Sequence, residues 1–220
     1  MKIEIPQVKM NGAARVRTRG FTRSETLVVL GVLLLGLVVA SKMAIRMRQR
    51  PAESVCAANM KRIVTAMDQY ALDLTNYPSA ARSEKLLPDD WIYWQTGRRL
   101  EESALATYMP GMSAHHLLCP LDKDTRYRLY PFSYTMNAHL ERLSPARLQN
   151  KLDLILLYEE KAPNDGACVP CEPTDRLAER HRGETHAAFP AGKVELLEEE
   201  TATQSRHVWP VLTPSSPRKP

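Results

Sequence analysis

The sequence predicts an α+β chain: a long N-terminal helix, with a transmembrane half and an amphipathic half, packed on a small antiparallel sheet. An uninterrupted apolar run spans Leu27–Ala40. Apolar residues then recur at three- and four-residue steps through residues 52–75, the period of a helix with one buried face. Short apolar runs of strand length follow, separated by Pro and Gly.

Residues 1–20 carry Lys2, Lys9, Arg15, Arg17 and Arg19 against Glu4, a cationic leader of the kind that stays on the cytoplasmic side of a membrane. The 220-residue chain has 30 Lys+Arg and 25 Asp+Glu, a net +5, and the leader supplies four of those charges. The remainder is nearly neutral, without the basic surface that a nucleic-acid partner requires. The 14 residues Leu27–Ala40 make about 21 Å of helix, and Phe21–Thr26 with Ser41–Ile45 extend it toward the roughly 30 Å of a hydrocarbon core. Glu25 stands at the lip of this segment, where a carboxylate is costly and therefore a functional candidate. Two other readings stay open. Val38-Val39-Ala40 fits a signal-peptidase site, which would leave Ser41 as the first residue, although an n-region of about 26 residues is long. An uncleaved anchor is the other, with Lys42, Arg46, Arg48 and Arg50 nearly balancing the leader.

Val55, Met60, Ile63, Val64, Met67, Tyr70, Ala71 and Leu74 define the amphipathic half. Pro51 predicts a kink or short break between the halves, and Tyr77-Pro78 ends the helix. From Phe21 to Asn76 it would measure about 84 Å if continuous. The chain divides into a leader (1–20), a transmembrane helix (21–45), an amphipathic stalk (46–77), an α+β head (78–197) and a mobile tail (198–220), with Trp209 as a docking point in the tail.

In the head, residues 79–130 read as irregular, punctuated by Pro88, Pro110 and Pro120, with Trp91, Tyr93 and Trp94 as core packing. A strand is expected at Phe132–Asn137, and Leu152–Tyr158 reads as a strand or a buried helical turn. A hairpin is expected from His186–Phe189 and Lys193–Leu197 across Pro190-Ala191-Gly192.

Four cysteines, Cys56, Cys119, Cys168 and Cys171, are disulfide candidates if the head lies in an oxidising compartment, and they allow three pairings. Cys168-Val-Pro-Cys171 reads in order of preference as a tight disulfide, as unpaired thiols, as half a zinc site, and last as a redox pair. His181 and His186 read as hydrogen-bonded structural groups. Asp122 and Asp124, with Lys123 between them, are too few for calcium. With no Ser-His-Asp order, Walker loop or zincin helix, no catalytic residue, metal ligand or cofactor is assigned and no enzyme is expected.

Arg19-Gly20-Phe21-Thr22-Arg23-Ser24-Glu25, with the apolar run behind it, resembles the type IV prepilin signature of pilins and type II secretion pseudopilins. Arg23 departs from it, since the family usually has a large apolar residue there. The resemblance implies that a prepilin peptidase cuts between Gly20 and Phe21, that Phe21 is N-methylated, and that Glu25 guides assembly by neutralising the terminal amine of an adjacent subunit. Removing a lone buried charge in this way is physically sound. A wider set of motifs is similar to a bacterial group with pseudopilin-type heads: Cys56-Ala-Ala-Asn59-Met-Lys61, Tyr77-Pro78, Leu118-Cys119-Pro120, Ser133-Tyr134-Thr-Met-Asn137, Glu159, and Arg180-His181-Arg-Gly183. Pro190-Ala191 and Lys193 stand where that group has Ala-Asp and His. The resemblance covers residues 19–197. It implies a pilin-like fold and a single-pass inner-membrane subunit with its head in the periplasm. Its partners would be membrane lipid, the peptidase, an inner-membrane assembly platform and other pilin-like subunits. The alternatives are a membrane-tethered periplasmic binding or adhesive protein that does not polymerise, and a zinc- or thiol-dependent periplasmic enzyme.

Overall fold

The computed structural model describes residues 22–124, 129–170 and 172–212. The expected leader and Phe21 lie outside the described residues. The chain forms two compact units, residues 1–46 and 47–220.

Helix α1 is Arg23–Leu74, 52 residues long. Its Arg23–Ala44 portion has a mean hydropathy of 2.4 and no buried residue. A helix that is apolar all round and bare of protein contacts is suited to lipid, and 22 residues give about 33 Å, enough to cross a bilayer core. The helix runs on through Pro51, so the expected break is absent. A proline removes one i→i−4 hydrogen bond, and here the turns on either side remain helical.

In the second unit, α1 buries Cys56, Asn59, Met60, Ile63, Val64, Met67, Tyr70 and Ala71. Met60, Ile63, Val64, Met67, Tyr70 and Ala71 follow the predicted stripe; Cys56 and Asn59 join it although the sequence reading left them out, and Val55 and Leu74, placed in it from sequence, are exposed. The helix ends where Thr75 adopts φ 68° and the Tyr77 N–H donates to Leu143 O, 2.9 Å away.

Five strands form one sheet: β1 Tyr134–Asn137, β2 Leu157–Glu159, β3 Ala167–Cys168, β4 Thr185–Phe189 and β5 Lys193–Leu197. Their order is β3-β1-β2-β4-β5. The sheet is mixed rather than antiparallel as predicted, because β3 runs parallel to β1. The chain reverses after β2 and comes back on the far side of β1, in the direction of β1. Two residues are too few to announce a strand in sequence. The expected β4–β5 hairpin is present, with Thr185 opposite Leu197 and Phe189 opposite Lys193.

Alternation along the strands divides the core between the two faces of the sheet. Tyr134, Met136, Leu157 and Ala188 pack in the cluster that contains the α1 stripe. Tyr158, Cys168, Ala187 and Phe189 pack on the other face with Ile155, Leu177 and Ala202. Residues 198–212, read from sequence as the start of a mobile tail, instead form helices α2 Glu199–Ala202 and α3 Ser205–Val208. Ala202 and Val208 are fully buried, and Glu199 accepts from Arg176 at 3.1 Å and from the Leu177 N–H at 3.2 Å. Trp209 stacks on His139 with ring centroids 4.0 Å apart.

The irregular stretch closes the core around Trp91, whose Nε1 donates to Gly166 O at 3.0 Å. Gly166 has no room for a side chain: a Cβ would fall 2.8 Å from Ala81 Cβ and 2.9 Å from Ala80 O. Gly166→Ala is therefore expected to destabilise the head by about 2 kcal/mol through overpacking. Urea unfolding of the detergent-solubilised chain measures this, and a variant as stable as the parent would contradict the packing described.

Candidate functional site

Glu25 opens α1. The Thr22 N–H donates to Glu25 Oε2 at 2.8 Å and the Thr22 hydroxyl donates to the same oxygen at 2.9 Å. The Glu25 N–H donates to Thr22 Oγ1 at 3.3 Å. This is a capping box, and its Thr-x-x-Glu pattern is visible in the sequence. Gly20 and Phe21, the expected processing positions, lie outside the described residues.

The second concentration of chemistry is buried in the head. It gathers Cys56 and Cys119, two of the four cysteine candidates. Cys168 lies on β3 with the core cluster of the other sheet face, and Cys171 is outside the described residues. Cys56, Cys119 and Cys168 are free thiols. Glu159, His181, His186 and Arg180 complete the centre; from sequence His181 and His186 are expected only as hydrogen-bonded structural groups, and Glu159 and Arg180 enter only through the resemblance. The available signal was an acid, Glu159, ending the apolar run Leu154–Tyr158, followed 21 residues later by Arg180-His181.

Each group is placed by local structure. Cys56 and Asn59 share the inward face of α1, and the Asn59 amide donates to His115 O at 3.0 Å and Leu118 O at 3.3 Å, which holds the Cys119 segment against the helix. The Cys119 N–H donates to Ser133 Oγ at 3.0 Å. Glu159 ends β2 opposite Tyr134 of β1, on the face that looks toward α1. His181 opens a two-residue turn in which Arg182 and Gly183 have φ of 61° and 89°. Such a turn needs left-handed residues, and glycine takes that conformation without strain. Arg182 also reaches Glu53 on α1 at 2.9 Å. His186 on β4 shares the sheet face of Glu159.

Glu159 is at the middle of the group. His181 Nε2 is 3.0 Å from Glu159 Oε2, and the Cys56 thiol donates to that oxygen at 3.5 Å. Arg180 donates to Glu159 Oε1 at 3.2 Å and binds Asp122 at 2.9 Å. His186 Nδ1 lies 3.6 Å from Glu159 Oε2, too far for a good hydrogen bond. Cys119 Sγ is 3.5 Å from His181 Nε2, and the Tyr134 hydroxyl donates to Cys56 Sγ at 3.3 Å. Cys56, Glu159 and His181 have no exposed surface, and Cys119 has 2 %.

The electrostatics follow from this packing. Burial pushes the Glu159 carboxyl up, but the hydrogen bond from His181, with the nearby His186 imidazole, overcomes it and holds the group below the usual carboxylate range. Burial pushes His181 down, and its contacts with Cys119 and Glu159 more than reverse this, to about 9. The Cys56 thiol is pushed up, chiefly by burial. The hydrogen bond from Cys56 lowers Cys119 against burial, with help from His181.

Two kinds of chemistry draw on such a set. Cys119, His181 and Glu159 offer a thiol, an imidazole and an acid, but Cys119 Sγ and Glu159 Oε2 both meet the same nitrogen, Nε2, so they do not line up as nucleophile, base and orienting acid, and their burial leaves no approach for a substrate in this conformation. Two sulfurs, an imidazole and a carboxylate also form a set of ligands for a soft or borderline metal ion, with one ligand atom from each of Cys56, Cys119, Glu159 and His181 lying within 4.8 Å of the others.

Arg180 serves two buried acids at once, so Arg180→Met is expected to destabilise the head by about 3 kcal/mol, the usual result of stranding a buried charge. Urea unfolding of the full chain in detergent reads this, and a loss under about 1 kcal/mol would show that the two carboxylates do not depend on the guanidinium.

Compared with family models, curated proteins and solved structures, the chain matches none.

Proposed function

We propose that the chain is a pilin-like structural subunit, cleaved after Gly20 and assembled through its N-terminal helix into a periplasmic pilus or pseudopilus of a type II secretion or related system. The observation that carries this reading is the bare apolar helix Arg23–Ala44, opened by an acid and continuous with a helix that builds the core of a folded head. Lipid tails and neighbouring helices of the same kind are the surroundings in which such a helix is satisfied. Gly31 and Gly36 face open space and allow close backbone approach there. The protein is then a single-pass inner-membrane subunit with a periplasmic head, processed by a prepilin peptidase and engaged by an assembly platform. Its role is mechanical rather than catalytic.

In this reading Glu25 has two tasks. Oε2 holds the Thr22 cap, and Oε1 accepts the N-methylated amine of a neighbouring Phe21. The cap also favours a second reading, in which Glu25 only starts the helix of a tethered binding protein that never polymerises.

Mass spectrometry of the membrane-extracted chain is expected to find N-methyl-Phe21 as the first residue. Glu25→Ala is expected to remain in the membrane but to enter cross-linked assemblies at least tenfold less than the parent. A retained leader or a start at Ser41 would overturn the processing. Normal assembly of the Glu25→Ala variant would favour the tethered reading.

A further inference from the structure

We propose that Cys56, Cys119, His181 and Glu159 bind one zinc-class divalent ion, which fastens helix α1 to three separate segments of the head. The proposal rests on the buried cluster and not on processing at Gly20.

The spacing fits. Ligand bonds of about 2.0–2.3 Å at tetrahedral angles separate neighbouring donor atoms by about 3.3–3.8 Å. Cys56 Sγ to Glu159 Oε2 is 3.5 Å, Cys119 Sγ to His181 Nε2 is 3.5 Å, and His181 Nε2 to Glu159 Oε2 is 3.0 Å. All four donor atoms fall within 4.8 Å of one another. Two of these distances already lie in that window, and binding would part His181 Nε2 from Glu159 Oε2 by about 0.3 Å.

The donor chemistry selects the ion. Two thiolates exclude calcium and magnesium, which take oxygen, and a mixed sulfur, nitrogen and oxygen set with tetrahedral spacing suits zinc. All four protein ligands are buried, as in a closed structural site rather than a catalytic one with an open position. Charge is partly offset as well. Two thiolates and a carboxylate around a divalent cation leave one negative charge, and Arg180, 3.2 Å from Glu159 Oε1 and shared with Asp122, offsets part of it.

An independent observation points to the same place. His186 is 3 % exposed, and its Nδ1 makes no hydrogen bond among the described residues although it faces Glu159. When Glu159 turns Oε2 toward the ion, that imidazole becomes its outer-shell partner, as ligating carboxylates commonly require.

The rival arrangement is a Cys56–Cys119 disulfide, which would use both sulfurs and leave Glu159 and His181 paired only with each other and their neighbours. The experiment separates the two. The full chain is purified in detergent under reducing conditions, reconstituted with zinc or with cobalt, and dialysed. Elemental analysis is expected to find about one zinc per chain. The cobalt form is expected to show the visible bands of a tetrahedral ion with thiolate charge transfer. The bands should persist in Cys168→Ser/Cys171→Ser and be lost in Cys119→Ser. Should Cys119→Ser fail to fold, the parent and the double variant still decide the matter. Less than about a tenth of an equivalent of zinc with no cobalt–thiolate band would overturn the proposal. So would loss of the bands in the double variant, or peptide mapping of the membrane-extracted chain that finds Cys56 joined to Cys119.

Discussion

A carboxylate with no exposed surface sits where β2 ends, and the head is arranged around replacing the water it has lost. Stripping a carboxylate of solvent costs several kcal/mol unless matched groups stay in place. Helix α1 brings Cys56, the turn after residue 180 brings His181, and Arg180 reaches across to Asp122. Tyr134 steadies Cys56 from the paired strand. Because these groups come from parts of the chain far apart in sequence, each segment is held in register by the same charge. Moving α1 along its own axis by one turn would take Cys56 and Asn59 from their partners together.

Helix α1 joins two different solvation problems. Its Arg23–Ala44 stretch has apolar side chains on all sides and none buried. Its later turns bury one stripe and expose the rest, as a helix on a soluble core does. The proposed function and the proposed metal centre concern opposite ends of this element. One concerns what the bare portion packs against, the other how firmly the remainder is held to the head.

Much of this was legible because it depends on periodicity. The apolar run, the stripe from Met60 to Ala71 and the β4–β5 hairpin each repeat a simple pattern over enough residues to be read. What was not legible depends on distance. Ala167-Cys168 is a strand only because β1 offers it hydrogen bonds, and residues 198–212 fold only because the second face of the sheet needs covering. The grouping of Cys56 with Glu159 and His181 spans more than a hundred residues, and no local spacing announces it. Of the four cysteines, the closely spaced Cys168 and Cys171 drew attention in the sequence, whereas Cys56 and Cys119, 63 residues apart by their numbers, are the pair the fold brings together. Glu25 was singled out for its charge, while its capping role follows from Thr22 three residues before it.

The borders of the sheet also matter. At one side stands β3, only two residues long, and at the other β5, which carries the Lys193–Glu195 pair at 2.9 Å on its rim. Short or charged borders resist zipping onto a neighbouring chain. A protein tethered in two dimensions meets its own copies at high local density, where an open, greasy border would invite runaway aggregation. Under the proposed membrane tethering, these borders keep neighbouring copies from pairing edge to edge.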